Sequence, residues 1–332
     1  MSLVQQVRDD MAASAPATVE PQPVDSTRQV GAVRAVLLMT RPAQIVLIVA
    51  VFLNGALLAV WRGDLTGPAT SVLPVAWPAL LLIVLAAAAI HLANEAADHE
   101  TDRRTRRTPF SGGSGALAAS GLDPRVPLAL ALGLSGLVVV LTLAASASGA
   151  IQPAATGLLL LGLVGGLAYS LPPVAVERRG WGEPLNAVLG ALLLPLYGVA
   201  ALAGAIVVLD IVAFMPFLFV AFASVMATAW PDRAADGATG KATMQVRLSP
   251  PTLRRIALGA AVAFGLGTLL SAATDAMPLA IAGLAIAPLL VLGLHRYTRV
   301  TSPLANVAAM VGLAVLTTIA LIGTLAGSGR LV

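Results

Sequence analysis

Nine long apolar runs restrict what this chain can fold into more than any other feature of its sequence. A helix needs about 20 mostly apolar residues to cross a bilayer, and lipid admits only structures that satisfy their own backbone hydrogen bonds. Only 11% of the residues are charged, against about 25% in soluble domains. We therefore expect an all-α, polytopic membrane bundle of nine transmembrane helices. The predicted spans are 43–60, 74–93, 127–147, 153–171, 184–205, 209–229, 254–273, 277–295 and 303–326.

Positively charged residues fall almost entirely on one side of these spans. Of the 20 lysine and arginine residues, 18 precede the first span or lie in or beside the loops after spans two, four, six and eight. Lys and Arg concentrate in cytoplasmic loops, so this face is predicted to be cytoplasmic, in an integral protein of the cell inner (plasma) membrane. The same bias accounts for the formal net charge of +4 without a nucleic-acid partner.

The first 33 residues differ in character from the rest of the chain. They are polar, rich in Pro and Ala, and lack an apolar core, which predicts a disordered cytoplasmic tail at 1–33. Residues 34–332 would then form the transmembrane domain. The chain has no cysteine, which excludes disulfides and thiolate metal sites.

An acidic cluster follows the second span, in the stretch NEAADHETD at 94–102. Asn94, Asp98 and Asp102 are four residues apart, so a continuing helix would place them along one face. Glu95 and Glu100 fall off that face, and we expect them to be solvated. Taken alone, such a cluster is typical of an ordinary cytoplasmic loop.

A second acidic pair, Asp232 and Asp236, follows the sixth span. These residues lie 134 positions after Asp98 and Asp102. The offset predicts two similar four-helix halves, spans one to four and five to eight, plus a ninth helix. In such a fold the two acidic helix ends would face one another.

Facing carboxylates repel one another unless a cation lies between them. Carboxylate and amide oxygens, without a His or Cys cluster, suit Mg²⁺, which usually binds a few carboxylates together with substrate phosphate. The four aspartates are therefore the candidate catalytic and Mg²⁺-binding residues, with Asn94 as a further metal ligand. The expected substrate group is a diphosphate, whose remaining charge nearby cations would neutralise. The candidates are Lys241, which is the only lysine, and arginines that include Arg103 and Arg107.

The paired motifs resemble those of the UbiA superfamily of intramembrane prenyltransferases. That family carries two Asp-rich motifs, NDxxDxxxD and DxxxDxxxD, after the second and sixth of nine spanning helices. Here Glu95 stands at the second position of the first motif, and Gly240 replaces the last Asp of the second motif. The form DxxxDxxxGKxT, followed by VRL, is more similar to the menaquinone branch with its naphthoate acceptors than to the hydroxybenzoate branch.

The resemblance implies Mg²⁺-dependent transfer of a prenyl group from an isoprenyl diphosphate to an aromatic or quinone-precursor acceptor. Loss of diphosphate leaves an allylic carbocation, which the acceptor attacks before a proton is lost. The lipophilic tail would lie among the helices, in contact with membrane lipid. By the same resemblance Tyr169 and Ser170, in the stretch AYSLPP, would donate hydrogen bonds to the diphosphate. Interfacial anchoring is the alternative role for Tyr169.

Polar residues inside the spans are candidates for the substrate pocket. Gln44 and Asn54 lie ten positions apart on the first span, which allows roughly one face, and His91 lies one turn before Asn94. Contact between helices is the alternative for all three. The stretch SGGSG at 111–115 is interpreted as a flexible linker, and the alternative is a loop that cradles phosphate through its backbone N–H groups.

Three other functions compete with this hypothesis. A terpene cyclase would use the same diphosphate ionisation, but a carbocation cavity favours aromatic faces and only 4% of the residues are aromatic. Transfer to a glycerol-phosphate lipid would need extra basic residues, which Arg103 to Arg107 could supply. A transporter would place ionisable residues near the bilayer midplane, whereas the acids here lie at helix ends.

Overall fold

A computed structural model of the chain describes residues 30–63, 72–105, 107–274 and 276–328. Within these ranges nine helices are long and apolar enough to cross a membrane. This confirms the all-α bundle and all nine predicted spans, whose ends move by four residues at most. The helices are α1 (Pro42–Arg62), α2 (Val72–Ala97), α3 (Arg125–Ala147), α4 (Pro153–Ser170), α5 (Gly182–Ala203), α6 (Val208–Ala229), α7 (Pro250–Ala273), α8 (Met277–Arg296) and α9 (Leu304–Gly327).

The helices pack in a ring that follows chain order. Each long helix packs on the next one along the chain, and α9 returns to pack on α1 and α6. α1 and α5 also pack closely on each other across the middle of the bundle. These two are the first helices of the two predicted halves, so the arrangement agrees with the division into four helices, four helices and a ninth.

Two glycines set the distance between α1 and α5. A Cβ atom on Gly55 would overlap the carbonyl oxygen of Pro195, and one on Gly198 would overlap the carbonyl oxygen of Phe52. Without side chains at these positions the two backbones approach closely, which is how helices gain packing energy in lipid.

Each acidic motif continues from its spanning helix into a short helix. The first short helix is His99–Arg104 and the second is Arg233–Ala238. Both have six residues, and the second begins and ends 134 positions after the first. The offset seen in the sequence is therefore a repeat of local structure at the same end of the bundle.

The segment before α1 also contains a short helix, Ala32–Met39. It packs Ala35 and Met39 against Leu92 of α2 and Leu117 of the helix Ala116–Ser120. Residues 1–29, most of the predicted tail, lie outside the described residues. The short helix begins at Ala32, two residues before the predicted domain boundary.

Candidate active site

Asn94, Asp98 and Asp102 keep the helical register that their spacing predicts. α2 ends at Ala97, but the Asp98 amide donates to the Asn94 carbonyl at 2.9 Å and the Asp102 amide donates to the Asp98 carbonyl at 2.8 Å. The backbone hydrogen bonds therefore run through the bend at Asp98. In the second motif the Asp236 amide donates to the Asp232 carbonyl at 2.9 Å in the same way.

A hydrogen bond between two threonines joins the motifs. The hydroxyls of Thr101 and Thr239 lie 2.9 Å apart, and both side chains belong to the segments that carry the acids. The two acidic helix ends, separated by more than a hundred residues in the chain, are thus brought together as the repeat predicts.

Lys241 lies between the motifs as a buried cation. Its ammonium is 2.6 Å from Asp98 Oδ1 and 3.0 Å from Glu177 Oε2, and only 7% of the residue is exposed. Burial alone would lower the pKa of Lys241, but Asp98, Glu177 and Asp236 raise it well above its ordinary value. The side chain therefore stays charged and partly compensates the surrounding acids.

The other aspartates of the site have raised pKa values, chiefly because they are removed from water. Burial raises the pKa of Asp102 to about 8, and the charge of Asp98 adds to the effect. Burial likewise raises the pKa of Asp236 to about 7 and that of Asp232 to about 6, with Lys241 opposing the shift in both. A cation bound beside these acids would favour their ionised forms.

The donor set fits Mg²⁺. Asn94, Asp98, Asp102, Asp232 and Asp236 offer amide and carboxylate oxygens, the ligands that Mg²⁺ prefers. No three acidic or histidine side chains of the described residues converge closely enough to hold an ion by themselves. Substrate oxygens and water would have to complete the coordination, which is the usual arrangement for Mg²⁺.

The SGGSG stretch is not a flexible linker, because it packs against both motifs. Ser111 Oγ donates to Asp232, and Ser114 Oγ donates to Glu95. Gly113 lies directly on the carboxylate of Asp102, and Gly115 lies against the guanidinium of Arg107. These contacts make the loop a wall of the site.

Tyr169 and Ser170 reach the site from the end of α4. Ser170 Oγ accepts a hydrogen bond of 2.9 Å from Asn94 Nδ2, whose amide also donates to Asp98 Oδ2 at 2.9 Å. The ring of Tyr169 lies against Gly182 at the start of α5. Ser170 therefore orients a candidate metal ligand, a contact the sequence could not show.

The two arginines of the predicted diphosphate set differ in position. Both residues are exposed, but the guanidinium of Arg107 lies against Gly115 of the SGGSG stretch, whereas Arg103 lies on the short helix His99–Arg104. Roles in diphosphate binding remain predictions for both, and the placement favours Arg107.

Gln44 and Asn54 differ in their surroundings, and a place in the substrate pocket stays a prediction for both. Gln44 is exposed near the start of α1, and Asn54 is buried. Asn54 Nδ2 donates to the Ala314 carbonyl at 3.0 Å and its Oδ1 accepts from Thr318 at 2.6 Å. Side chains ten residues apart on a helix point in directions that differ by about 80°. Asn54 faces α9, and its hydrogen bonds join α1 to α9.

His91 lies one turn before Asn94, with its Nε2 atom buried and without a hydrogen-bond partner in the described part of the chain. The nearby charge is that of Arg41. A role of His91 in the substrate pocket stays a prediction.

Glu95 is buried, and the expectation that it is solvated is wrong. It is only 2% exposed, its Oε2 lies 3.3 Å from Arg41 Nη2, and Ser114 Oγ donates to its Oε1. Arg41 precedes Pro42 at the start of α1, so this ion pair joins α1 to α2. Glu100, by contrast, is exposed and pairs with Arg104 at 2.7 Å, as solvated residues on one helix do.

Two more buried acids lie outside the two acidic motifs. Glu177 lies in the 3₁₀ turn Val176–Arg179 after α4, and Glu183 lies in the first turn of α5. Glu183 Oε1 accepts from the Met244 amide at 3.1 Å, which ties α5 to the segment after Lys241. An acid beside two arginines normally indicates a solvated loop, so no pattern in the sequence pointed to Glu177.

Solved structures of the same fold exist. A UbiA homologue from Archaeoglobus fulgidus bound to DMAPP and Mg²⁺ matches with a TM-score of 0.59 at 18% identity, over 88% of this chain and 99% of that one. The same homologue bound to GPP and Mg²⁺ gives the same values. A digeranylgeranylglyceryl phosphate synthase matches with a TM-score of 0.58 at 14% identity, over 89% of this chain and 98% of that one. At these identities the likeness establishes the fold.

The family is established by a separate comparison. A search of curated proteins found no match, but the model of the UbiA prenyltransferase family matches residues 48–316. That match includes both acidic motifs, Lys241, the seven complete spanning helices α2 to α8, and parts of α1 and α9. The chain therefore belongs to the UbiA prenyltransferase family.

Proposed function

We propose that this prenyltransferase transfers a prenyl group from an isoprenyl diphosphate to an aromatic or quinone-precursor acceptor within the membrane, using Mg²⁺. One observation carries the proposal: two acidic helix ends meet around a single buried ammonium at one end of a membrane bundle. The relatives bound to DMAPP or GPP with Mg²⁺ support the choice of substrate and ion.

The acids would bind the metal ion, and the lysine would bind the diphosphate. Asp98 and Asp102 with Asn94, and Asp232 with Asp236, would hold Mg²⁺ together with the diphosphate. When bound, Mg²⁺ neutralises diphosphate oxygens and stabilises the negative charge that develops on the leaving group. Lys241 and Arg107 would neutralise charge that remains.

The reaction then follows from ionisation of the substrate. The allylic C–O bond breaks, its electron pair leaves with the diphosphate, and the electron-rich acceptor carbon attacks the allylic cation. The acceptor loses one proton to restore aromaticity. Fixed charges in a site shielded from water accelerate such a step because they need not reorganise as charge develops.

The position of the site suits a substrate with one polar and one apolar end. The acids lie at the ends of α2 and α6, and large aliphatic side chains such as Leu137, Val140 and Leu143 of α3 face outward. The diphosphate would meet the motifs at the membrane surface while the isoprenoid chain stays in the bilayer. The arginine-rich loops on the same side support a cytoplasmic site in the inner (plasma) membrane.

The acceptor class rests on the DxxxDxxxGKxT form of the second motif. A glycerol-phosphate lipid is the second candidate, because a digeranylgeranylglyceryl phosphate synthase shares the fold. A terpene cyclase would need no acceptor at all.

Purified full-length protein incubated with Mg²⁺ and allylic diphosphates of several chain lengths tests the proposal. Product analysis with a naphthoate, with a benzoate, with a glycerol-phosphate lipid and without acceptor separates the three possibilities. A prenylated naphthoate or benzoate is expected. Products formed only with the lipid, or only without acceptor, would replace the proposal by the corresponding alternative, and absence of diphosphate release in every arm would refute it.

A further inference from the structure

Glu177 is a buried acid that the paired motifs do not include. It is 2% exposed, its Oε2 lies 3.0 Å from Lys241 Nζ, and its Oε1 is buried without a hydrogen-bond partner among the described residues. Burying an ionised carboxyl group costs free energy unless the group is paired. The pairing partner of Glu177 is the Lys241 ammonium, which lies inside the candidate site.

The second partner of Lys241 creates a conflict. The ammonium lies 2.6 Å from Asp98 Oδ1, and Asp98 belongs to the proposed Mg²⁺ ligands. A divalent ion on Asp98 would repel an ammonium at hydrogen-bond distance from the same carboxylate. A metal ion on Asp98 would thus weaken the hold of Asp98 on the Lys241 ammonium, and Glu177 is the other acid in contact with that ammonium.

The backbone around Glu177 is fixed relative to Lys241. Arg178 Nη2 donates to the Thr239 carbonyl at 2.9 Å, and the Ala242 amide donates to the Arg178 carbonyl at 3.1 Å. These two bonds attach the 3₁₀ turn to the chain on both sides of Lys241. The carboxyl of Glu177 is thus held in position by its own turn, whether or not Asp98 is free.

We infer that Glu177 is a positioning residue that retains the Lys241 ammonium inside the site when Asp98 passes to the metal, so that the ammonium meets the diphosphate. The inference rests on the proposed diphosphate chemistry. It assigns Glu177 no contact with the substrate; its effect passes through Lys241.

Chemical labelling tests this directly, because Lys241 is the only lysine in the chain. An amine-reactive reagent followed by mass spectrometry of the Lys241 peptide reports how well the ammonium is held in the full-length protein. Addition of Mg²⁺ alone should leave labelling of the wild type slow. It should accelerate labelling about tenfold in Glu177→Leu, with Glu177→Gln in between because its amide oxygen still accepts a hydrogen bond. Equal acceleration by Mg²⁺ in wild type and both variants would overturn the inference.

Binding of inorganic pyrophosphate with Mg²⁺, measured by calorimetry, gives the second readout. Glu177→Leu should raise the Kd about tenfold, but should add less than about twofold in a Lys241→Met background, since the two residues act through one ammonium. The same fold-change in both backgrounds would show that Glu177 acts independently of Lys241 and would refute the inference.

Glu183→Leu is the matched control. Glu183 is also buried, at 3% exposure, but bonds the Met244 amide instead of Lys241. Its variant should leave Lys241 labelling and the pyrophosphate Kd within about twofold of wild type; a shift as large as that of Glu177→Leu would mean general disruption of the loop and refute the inference. If wild-type protein shows protected Lys241 and binds pyrophosphate but transfers no prenyl group, the proposed function fails while the role of Glu177 stands.

Discussion

The hydroxyls of Thr101 and Thr239 lie 2.9 Å apart, and this bond holds the two acidic helix ends in register. Thr101→Val keeps the shape of the side chain and removes the bond. We expect the free energy of unfolding to fall by about 1 kcal/mol and kcat to fall about three- to tenfold, because the two halves of the site lose alignment. Steady-state kinetics and thermal unfolding measure the two effects.

Thr274→Val is the control for Thr101→Val. Among the described residues, the hydroxyl of Thr274 donates to carbonyls of its own helix, at the end of α7. This variant should leave kcat unchanged. An unchanged kcat in Thr101→Val as well would show that the bond between the motifs does not align the site.

Asp98→Ala and Asp232→Ala each remove one carboxylate from the proposed Mg²⁺ site. We expect Mg²⁺-dependent release of diphosphate from an allylic diphosphate to fall by about a hundredfold or more, because the leaving group loses its electrostatic stabilisation. Glu100→Ala, which changes an exposed acid on the short helix that follows Asp98, should keep wild-type activity. Full activity in either aspartate variant would refute the site.

The Mg²⁺-free protein should lose stability as the pH rises. The pKa of Asp102 is about 8 in the folded protein because of burial and Asp98, so the folded state holds this proton more tightly than the unfolded state does. The stabilisation is complete below about pH 4 and disappears as the pH rises through about 8. Thermal unfolding between about pH 5 and pH 9 should show a falling Tm.

Asp102→Asn removes this titration and should flatten the slope of Tm against pH. Mg²⁺ should also restore Tm most strongly at high pH, since protons compete with it for the carboxylate. A wild-type Tm that rises with pH over the same range would contradict a raised pKa for Asp102 in the folded protein.

Gly113 brings the backbone of the SGGSG stretch (111–115) against the carboxylate of Asp102. A Cβ atom there would overlap the Asp102 carboxylate, and the backbone has φ of +59°. Gly113→Ala should therefore weaken Mg²⁺-dependent activity by about tenfold or more, measured as a higher Mg²⁺ requirement. Gly121→Ala carries the same backbone strain at φ of +66° with nothing within 4 Å, so it should cost stability of about 1 kcal/mol and no activity. An equal loss of activity in Gly113→Ala and Gly121→Ala would show that backbone strain alone causes the loss.

The crossing of α1 and α5 depends on Gly55 and Gly198. Replacing Gly55 by Ala should separate the helices and lower the yield of folded protein and its Tm sharply, because the new methyl overlaps the Pro195 carbonyl. Gly133→Ala on α3, where a Cβ meets nothing within 4 Å, should be neutral or slightly stabilising. Normal expression and Tm for Gly55→Ala would contradict the close crossing.

The sequence by itself determined the features that depend on local pattern. Apolar length fixed the nine spans, since lipid leaves a 20-residue apolar segment no alternative to a helix. Helical spacing placed Asn94, Asp98 and Asp102 in one register, and the 134-residue offset located the matching helix of the second motif.

Only the tertiary structure decided which polar residues at the helix ends are buried. Glu95 and Glu100 stand five positions apart in one acidic stretch, yet the SGGSG stretch and Arg41 cover the first while the second stays in solvent. The same holds for Glu177, which the segment around Lys241 covers. Burial and ion pairing at a helix end depend on which distant segment packs over it, and neither apolar length nor helical period carries that information.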